Sequence, residues 1–357
     1  MKILHIINSL NIGGAEKLLV DMIPLFREKG YQIDILLFDG TETPFKKILK
    51  EKEVCIYQGY KVSIYSPLHI FCVIPYLKKY DVIHVHLFPS LYWVALAKFF
   101  SSKNTKLIFT EHSTHNRRIG KKIWQIFDKF IYSQYNIIVS ITKAVDATIK
   151  AHLLFPSNNF KIINNCIDLS QFSKISKNNN AVESKMTIIQ ISSFRNSKDQ
   201  ATLIKSLQYL PENVNLLLVG DGENRMKCER LVREINLSNR VSFLGIRTDI
   251  PKLLETTDIV VLSSNWEGFG LAAVEGMAAG CPVIVSDVPG LSDIVRGAGL
   301  LFPVGDEKIL AEKINSLISD RDFYERTAKA CCERSKQYDI YVMVDKYIEL
   351  YEEILNS

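Results

Sequence analysis

Short apolar runs rich in β-branched residues alternate with stretches of helical periodicity through most of this chain. In the first half, strands are predicted at residues 2–8, 32–38, 81–86, 106–110 and 137–141. The first helix is predicted at residues 15–28, where apolar side chains recur at helical spacing and Gly30 follows as a stop signal. Strands that alternate with helices form βαβ units with parallel strands. The pattern therefore predicts an α/β fold.

The alternation begins again after a polar segment at residues 166–185, which is rich in Ser and Asn and is typical of a linker. Further strands are predicted at residues 187–192, 215–219, 241–244, 259–263 and 283–286, and helices at residues 199–209, 225–235, 271–279, 308–318 and 341–355. The sequence thus predicts two doubly wound domains, residues 1–165 and 186–339. Because open parallel sheets bind ligands beyond the carboxyl ends of their strands, two such sheets predict a central cleft for two substrates.

The composition of the 357 residues is that of a globular protein, with 47% apolar and 23% charged residues. The longest apolar stretch, residues 68–77, is too short for a membrane-spanning helix. The first residues are typical of a strand rather than a signal peptide. The seven cysteines are odd in number and lack Cys-x-x-Cys spacing, so neither a disulfide framework nor a zinc site is indicated. We expect a cytoplasmic protein.

The charge is distributed unevenly along the chain. Residues 1–165 contain 22 Lys and Arg against 12 Asp and Glu, a net charge of +10, whereas residues 166–357 contain 22 against 27, a net charge of −5. A basic first half is typical of a domain that meets an anionic partner. Nucleic acid, an anionic membrane surface and a phosphorylated substrate all fit this charge, and a solvated basic surface remains the alternative.

Residues 263–290 carry the strongest functional signal. A predicted strand is followed by a loop with Gly268 and Gly270, and then by a helix that begins near Leu271. Amides at such a helix N-terminus form an anion site suited to a phosphate. Glu267 lies in the loop and Glu275 in the second helical turn, where carboxylates can accept hydrogen bonds from sugar hydroxyls. An ordinary helix start with two incidental acids is the alternative interpretation.

This stretch resembles the signature of the retaining glycosyltransferases of the group 1 family (family four), which have the GT-B fold. Glu267 and Glu275 show the family's Glu-(seven residues)-Glu spacing, although Gly276 stands where the family usually has Ala. The resemblance implies that Glu267 contacts the donor sugar and Glu275 the nucleotide ribose. It also implies that the backbone after Gly268 and Phe269, at Gly270 and Leu271, binds the diphosphate. It further implies that the last helix, residues 340–357, packs on the first domain.

Other loops fit the same resemblance. Arg195 and Lys198 follow a predicted strand and would neutralise the leaving diphosphate, Arg195 lying two residues later than the family's usual arginine. Period-2 strand geometry would keep Arg195 on the expected face. Gly245 follows another strand and is a candidate contact for the base. Gly14 belongs to a Gly-Gly-Ala-Glu element that resembles the family's opening and would face the donor phosphates.

Two histidine groups are candidate site residues. His112 follows a predicted strand end, where the family often has a histidine directed at the donor sugar, and His86 ends a strand near the family's acceptor side. His84 shares a strand face with His86 and could form a metal pair with it, but no third ligand is evident. We therefore predict no required metal and no cofactor, with a nucleotide-diphosphate sugar as co-substrate.

Residues 116–132 combine four basic residues with aromatic ones. The charges are those of Arg117, Arg118, Lys121 and Lys122. A basic, aromatic amphipathic helix is suited to peripheral attachment on the inner face of an anionic membrane. An amphipathic helix whose apolar face packs on the sheet is the alternative.

Together the motifs predict a retaining, metal-independent glycosyltransferase of hexosyl or N-acetylhexosaminyl type. Its acceptor would be a glycan or a lipid-linked molecule in surface polysaccharide, lipopolysaccharide or glycoconjugate assembly. One alternative is a nucleotide-sugar epimerase of the same fold, and another is a non-catalytic nucleotide-sugar-binding protein. A nucleic-acid partner is not predicted, because the basic half lacks a recognisable nucleic-acid-binding module.

Overall fold

A computed structural model describes residues 1–101, 105–115, 118–154, 159–172 and 185–356. The chain divides into two compact units, one formed by residues 1–165 with residues 340–357 and the other by residues 166–339. Residues 173–184 of the polar segment lie outside the described residues. Within the described residues, no helix is both long enough and apolar enough to cross a lipid bilayer.

The first unit alternates strands and helices from its first residue. Its elements are β1 (Lys2–Ile7), α1 (Gly14–Glu28), β2 (Gln32–Leu37), α2 (Pro44–Glu51), β3 (Ile56–Gln58), α3 (His69–Val73), β4 (Val82–His86), α4 (Ser90–Phe99), β5 (Lys106–Glu111), α5 (Lys122–Tyr132), β6 (Ile137–Ser140), α6 (Lys143–Leu153) and β7 (Phe160–Ile162). In the described part of this unit, seven parallel strands form one sheet in the order β3-β2-β1-β4-β5-β6-β7.

The second unit repeats the pattern. Its elements are β8 (Met186–Ile191), α7 (Gln200–Ser206), β9 (Val214–Val219), α8 (Arg225–Glu234), β10 (Val241–Gly245), α9 (Ile250–Glu255), β11 (Ile259–Leu262), α10 (Leu271–Ala278), β12 (Val283–Ser286), α11 (Ser292–Val295), β13 (Leu300–Phe302), α12 (Glu307–Ser319) and α13 (Arg321–Ser335). Between residues 185 and 339, six parallel strands form a sheet in the order β10-β9-β8-β11-β12-β13.

The prediction of two doubly wound α/β units is confirmed. Each predicted strand lies within one or two residues of an observed one, because strands covered on both faces read as continuous apolar runs. In β1, five of the six residues are buried. The sequence did not predict β3, β7 and β13, which have three residues each and lie at sheet edges. So short a strand carries no periodic signal.

Both sheets reverse their strand order at an inner strand. In the first sheet the reversal lies between β1 and β4, and in the second between β8 and β11. Loops that leave two such strands diverge to opposite sides and open a crevice, which is the usual ligand position in open α/β sheets. Ligand contacts are therefore expected in the loops after these four strands.

The last helix, α14 (Ile340–Asn356), belongs to the first unit. Its buried face includes Tyr347 and Tyr351, whose rings lie beside His84 of β4. Ion pairs fix its outer face, since Lys29 Nζ lies 2.7 Å from Asp345 Oδ1. The C-terminal segment thus completes the core around the first unit's β1 and β4.

Helix α5 is turned opposite to an ordinary amphipathic helix. Its apolar stripe points to solvent and consists of Ile123, Trp124, Ile126, Phe127 and Phe130. The buried residues are Asp128, Ile131 and Tyr132. The alternative of packing on the sheet thus holds for Ile131 and Tyr132, which belong to the core of the first unit, but not for the apolar stripe. The helix begins at Lys122 rather than at residue 116, and Arg117 lies outside the described residues.

Candidate functional site

The loop after β11 ends in a glycine that starts a helix. Gly270 precedes α10 with φ of +89°, a left-handed conformation that favours glycine, and a Cβ on it would overlap Leu291. Leu271 is the first residue of α10, as predicted. The first-turn amides of a helix lack intrahelical acceptors, so this turn presents donors suited to a phosphate.

An ion pair joins the loops after β8 and β11. Lys198 Nζ contacts Glu267 Oε2, and Ser264 Oγ lies 3.3 Å from the same oxygen. The Lys198 side chain is 20% exposed and that of Glu267 15%. Both residues were predicted from the sequence as donor-site residues. Their contact was not, because it depends on β8 and β11 being neighbours in the sheet. The structure thus brings a cation and a carboxylate together at the sheet's reversal point.

Hydrogen bonds fix these two loops to each other. Asn265 donates from its backbone N–H to Ser197 O at 2.8 Å and from its side chain to Asn196 O at 2.7 Å. Deeper down, Ser263 Oγ donates to Gln190 Oε1 at 2.9 Å. A site held by several local bonds needs little reorganisation when a ligand binds.

Glu275 lies in the second turn of α10 and is buried, with 3% of its surface exposed. The residue after it explains the departure from the family pattern. A Cβ on Gly276 would lie 2.6 Å from Val260 Cγ2 on β11, well inside van der Waals contact. Gly276 therefore lets α10 pack directly on the strand that leads to Glu267.

Arg195 does not join this ion pair. Strand β8 ends at Ile191, so the period-2 argument that placed Arg195 on a strand face is wrong. The residue lies exposed in the following loop, where its backbone N–H donates to Ser193 O at 3.0 Å. The structure thus places Lys198, but not Arg195, against Glu267.

A second pair of loops borders the same sheet edge. Gly220 has φ of +128°, a Cβ on it would overlap Ser192 O, and its N–H donates to Gly245 O at 2.8 Å. Gly245 ends β10 with φ of +65°, beside an irregularity in the strand pairing. The next side chain, Ile246, is 52% exposed. The exposed apolar side chain of Ile246 therefore lies next to Gly245, which was predicted to contact the nucleotide base.

Two further predicted residues have clear local positions. Phe269 is buried and its ring meets that of Tyr338 edge-on at 5.5 Å, so it anchors the loop, with Gly268 buried beside it. In the first unit, Gly13 precedes α1 in an extended conformation, and the exposed Gly14 is the first helical residue. The structure therefore also places a helix N-terminus after β1, the reversal strand of the first sheet.

Imidazoles gather at the corresponding point of the first unit. His5 on β1 is paired in register with His84 on β4, and His86 follows on the same face. His86 Nε2 lies 3.1 Å from His5 Nδ1, and His86 Nδ1 lies 3.2 Å from His112 Nε2. Both ring nitrogens of the buried His86 are thus engaged. A direct hydrogen bond from His86 to the acceptor substrate would have to replace its bond to His5 or to His112.

His5 was not predicted from the sequence as a site residue. Its ring nitrogens come within 4.8 Å of those of His84 and His86, which supplies the third potential metal ligand that the sequence did not reveal. However, His84 Nδ1 already bonds Tyr351 Oη and its Nε2 bonds Thr110 Oγ1, both at 2.6 Å. Only the pairing of β1 with β4 brings His5 to this position, so no local signal could have indicated it.

Burial keeps these imidazoles neutral. Desolvation lowers the pKa of His5 to about 3 and that of His112 to about 4, and the pKa values of His84 and His86 also lie well below the ordinary value. The neighbouring Glu111 carboxyl has a pKa raised by burial, although Tyr132 Oη donates to it at 2.8 Å. At neutral pH the cluster thus offers uncharged donors and acceptors.

Family comparison explains why these two sets of loops occur in one chain. Residues 171–334 match the family model described as glycosyl transferases group 1, and residues 12–171 match that of glycosyltransferase family 4. The two matches meet at residue 171 and together span residues 12–334, which include every strand of both sheets except β1. The chain is a group 1 glycosyltransferase.

Individual relatives agree with this assignment. The glycosyltransferase is 25% identical to N-acetyl-alpha-D-glucosaminyl L-malate synthase of Bacillus anthracis, over 97% of this chain and 96% of that protein. It is 24% identical, over the full length of both chains, to the GalNAc-alpha-(1->4)-GalNAc-alpha-(1->3)-diNAcBac-PP-undecaprenol alpha-1,4-N-acetyl-D-galactosaminyltransferase of Campylobacter jejuni. Among solved structures, Anabaena Alr3699/HepE in complex with UDP and glucose has a TM-score of 0.87 at 23% identity and covers 99% of each chain. Its likeness confirms the GT-B fold of this glycosyltransferase.

Proposed function

We propose that this glycosyltransferase moves an N-acetylhexosamine or hexose from a uridine-diphosphate sugar to a lipid-linked acceptor at an anionic membrane surface. The observation that carries the proposal is the contact of Lys198 with Glu267 beside the N-terminus of α10. This contact places a cation and a carboxylate beside the first-turn amides of α10, at the reversal point of one sheet. Those three groups match a diphosphate and a sugar bearing hydroxyls.

The diphosphate is the leaving group, so negative charge grows on it as the glycosidic bond breaks. Lys198 and the amides at Gly270 and Leu271 would stabilise that charge, because they are held in place before the reaction. Glu267 would exchange its bond from Lys198 for bonds from donor-sugar hydroxyls. Glu275, buried one turn along α10, would accept from the ribose hydroxyls.

The remaining donor assignments stand on the family resemblance and on local position. Arg195 lies in the loop after β8, as Lys198 does, and Gly245 ends β10 of the same sheet. In the first unit, Gly14 at the start of α1 would bind donor phosphates and His112 the donor sugar. His86 would act on the acceptor side through His112, since its own nitrogens are engaged.

Retention of the anomeric configuration is part of the proposal. Two relatives carry alpha linkages in their names. An α product from a donor whose diphosphate is also α is retention by definition. The product anomer, read by one-dimensional proton NMR, tests this directly.

We also propose that neither metal nor cofactor is required. Lys198 with the α10 amides would supply the positive potential that a metal otherwise gives to a diphosphate. The Asp-x-Asp triplet of the sequence, residues 320–322, lies at the start of α13, where Asp320 caps the helix by accepting from the backbone N–H of Phe323. Transfer should persist undiminished after exhaustive EDTA treatment. Loss of transfer that Mg²⁺ or Mn²⁺ restores would refute metal independence.

The membrane part of the proposal rests on how α5 is anchored. Asp128 is buried and accepts from Arg118 Nη1 at 2.6 Å, from His152 Nε2 at 2.8 Å and from Tyr92 Oη. A charged group with three donors stabilises the inward orientation of its helix face, since turning it out would leave buried donors unpaired. The apolar stripe, which spans the eight residues from Ile123 to Phe130, is thereby held toward solvent.

Charge complementarity supports an anionic membrane surface as the occupant of that stripe. Lys121 and Lys122 are exposed at the start of α5, and Phe99 and Phe100 extend the apolar surface from α4. Apolar side chains beside lysines fit a bilayer interface with anionic lipids. Arg118, predicted as one of the membrane-facing charges, is instead buried in the ion pair with Asp128.

Donor binding is tested by thermal denaturation with a panel of nucleotide diphosphates and nucleotide sugars, without added metal. A ligand that binds only the folded chain raises the melting temperature, by an amount set by its affinity. We expect UDP and its sugars to raise it, and Glu275→Ala to abolish the shift without changing the melting temperature of the free protein by more than a few degrees. Absence of a shift with every nucleotide would refute the donor assignment.

A further inference from the structure

Three imidazoles in the first unit form a continuous hydrogen-bonded row, here called the histidine relay: His5, His86 and His112. His5 Nδ1 lies 3.1 Å from His86 Nε2, and His86 Nδ1 lies 3.2 Å from His112 Nε2. His5 and His86 are almost completely buried. The relay therefore connects the core of the first sheet with the residue that follows β5.

Neutral imidazoles impose a direction on such a row. Each ring has one N–H and one lone pair, so His86 must donate to one neighbour and accept from the other. Both hydrogen bonds consequently run the same way along the relay. Only two collective arrangements exist, and they differ in which nitrogen of His112 carries the proton.

The two ends of the relay decide between these arrangements. Within the part of the chain that the structure describes, His5 Nε2 and His112 Nδ1 are buried and have no hydrogen-bond partner. One end holds the spare N–H and the other the spare lone pair. His5 is enclosed by rings such as Phe26 and His84, and a buried N–H without an acceptor is rarer than a buried acceptor without a donor. The same cost applies to the buried His112 Nδ1, but His112 follows the end of β5, where the proposed donor sugar would supply an acceptor. The spare proton is therefore assigned to His112 Nδ1.

We propose that His5 and His86 are positioning residues that hold His112 as its Nδ1–H tautomer, so that His112 donates a hydrogen bond to the substrate. This inference rests on the proposed role of His112 in donor-sugar binding. The relay makes the outer nitrogen a donor only, so the ligand atom that it meets must be an acceptor, such as a sugar hydroxyl oxygen. His5 lies two residues before the end of β1 and acts solely through its neighbours.

His84 provides an internal comparison. Its ring lies 4.2 Å from that of His86 and 4.9 Å from that of His5, yet its own nitrogens bond Tyr351 and Thr110. It is part of the cluster but not of the relay. A change at Tyr351 should therefore perturb the cluster without reversing the relay.

The tautomers are read directly by long-range proton–nitrogen correlation NMR on the full chain labelled with ¹⁵N-histidine, without ligand. We expect His112 to be protonated on Nδ1 and bare on Nε2. His5→Phe removes the donor to His86 Nε2 and should convert His112 into a mixture of tautomers. His5→Asn restores a donor near the position of Nδ1 and should restore the single tautomer, whereas Tyr351→Phe should leave His112 unchanged.

Transfer kinetics provide the functional measurement. One hydrogen bond to a neutral group contributes about a five- to tenfold effect, so kcat/KM should fall by about that factor in His5→Phe. It should recover in His5→Asn and stay unchanged in Tyr351→Phe. A merely structural role for His5 would give the kinetic loss without any change in the tautomer of His112.

The outcomes separate the relay from the proposed function. Protonation of His112 on Nε2 in the wild-type chain overturns the relay, and so does one equivalent of tightly bound metal on the histidines. That wild-type measurement holds even if His5→Phe fails to fold. If His112→Ala transfers sugar normally, the substrate role of His112 is refuted, while the NMR result still shows whether the relay sets its tautomer.

Discussion

Replacing two isoleucines on the outer face of α5 should release the enzyme from anionic membranes. Ile123 and Ile126 are 77% and 73% exposed, so nearly their whole side chains are available to a bilayer interface. Complete burial of such a side chain contributes roughly 1.5–3 kcal/mol, so three-quarters of that for each residue gives about 2–4 kcal/mol for the pair. At 1.4 kcal/mol per tenfold change, Ile123→Ser with Ile126→Ser should weaken binding by roughly 30- to 700-fold.

The assay is sedimentation with vesicles of mixed neutral and anionic lipid, repeated at several salt concentrations. Lys121→Gln with Lys122→Gln should cost about 1 kcal/mol per lysine, an effect that disappears as salt rises. The loss from the isoleucine pair should persist at high salt, since it does not depend on charge.

Met226→Ser is the matched control, because Met226 is 75% exposed on α8 of the second unit. It removes a similar apolar surface outside the proposed membrane face and should leave vesicle binding intact. Wild-type binding by the double isoleucine variant would refute the reasoning. Equal binding to neutral and anionic vesicles would refute the choice of an anionic surface.

Three further predictions concern the two sites. Lys198→Met should lower kcat by about 10²- to 10³-fold, as for other preorganised charge-stabilising donors, and a loss below tenfold in steady-state transfer would contradict its role at the leaving group. Gly270→Ala should lower the melting temperature more than Gly280→Ala does. Both glycines have positive φ (+89° and +75°), but only a Cβ on Gly270 would overlap a neighbouring side chain. Equal shifts of the melting temperature in calorimetry would disprove the overlap. The pKa of about 3 for buried His5, against about 6.5 unfolded, means that the unfolded chain binds the extra proton between these values, so stability falls as pH drops below about 6.5. Going from pH 7 to pH 5 should cost about 2 kcal/mol through His5, and urea titrations of His5→Phe should show a correspondingly smaller pH dependence.

The candidate site was predictable residue by residue where a local motif carried it. Gly270 and Leu271 could be assigned to a helix start because a glycine, a helical pattern and a final Gly280 occur within one short stretch. Arg195 shows the limit of the same approach. The period-2 geometry of a strand was applied to Arg195, beyond the strand predicted at residues 187–192, but β8 ends at Ile191 and Arg195 lies in the following loop.

Helix α5 shows that periodicity gives a helix without giving its orientation. The spacing of Ile123, Ile126 and Phe130 is that of a core-facing stripe, and the sequence alone left packing and exposure as alternatives. The orientation of α5 is set by the buried Asp128, which is paired with Arg118. Arg118 precedes the helix, so the periodicity within the helix does not reveal this pair. Buried charge pairing outweighed the apolar stripe.

The sequence by itself determined the two parallel α/β units, their strands of four or more residues and the helix start at Leu271, because these depend on periodicity and turn chemistry within short segments. Only the tertiary structure decided that Lys198 meets Glu267 and that His5 meets His86. The members of each pair lie on, or in the loops after, strands that are neighbours in a sheet but far apart in the chain. Their contact is set by strand order and register, which emerge only when the whole sheet assembles.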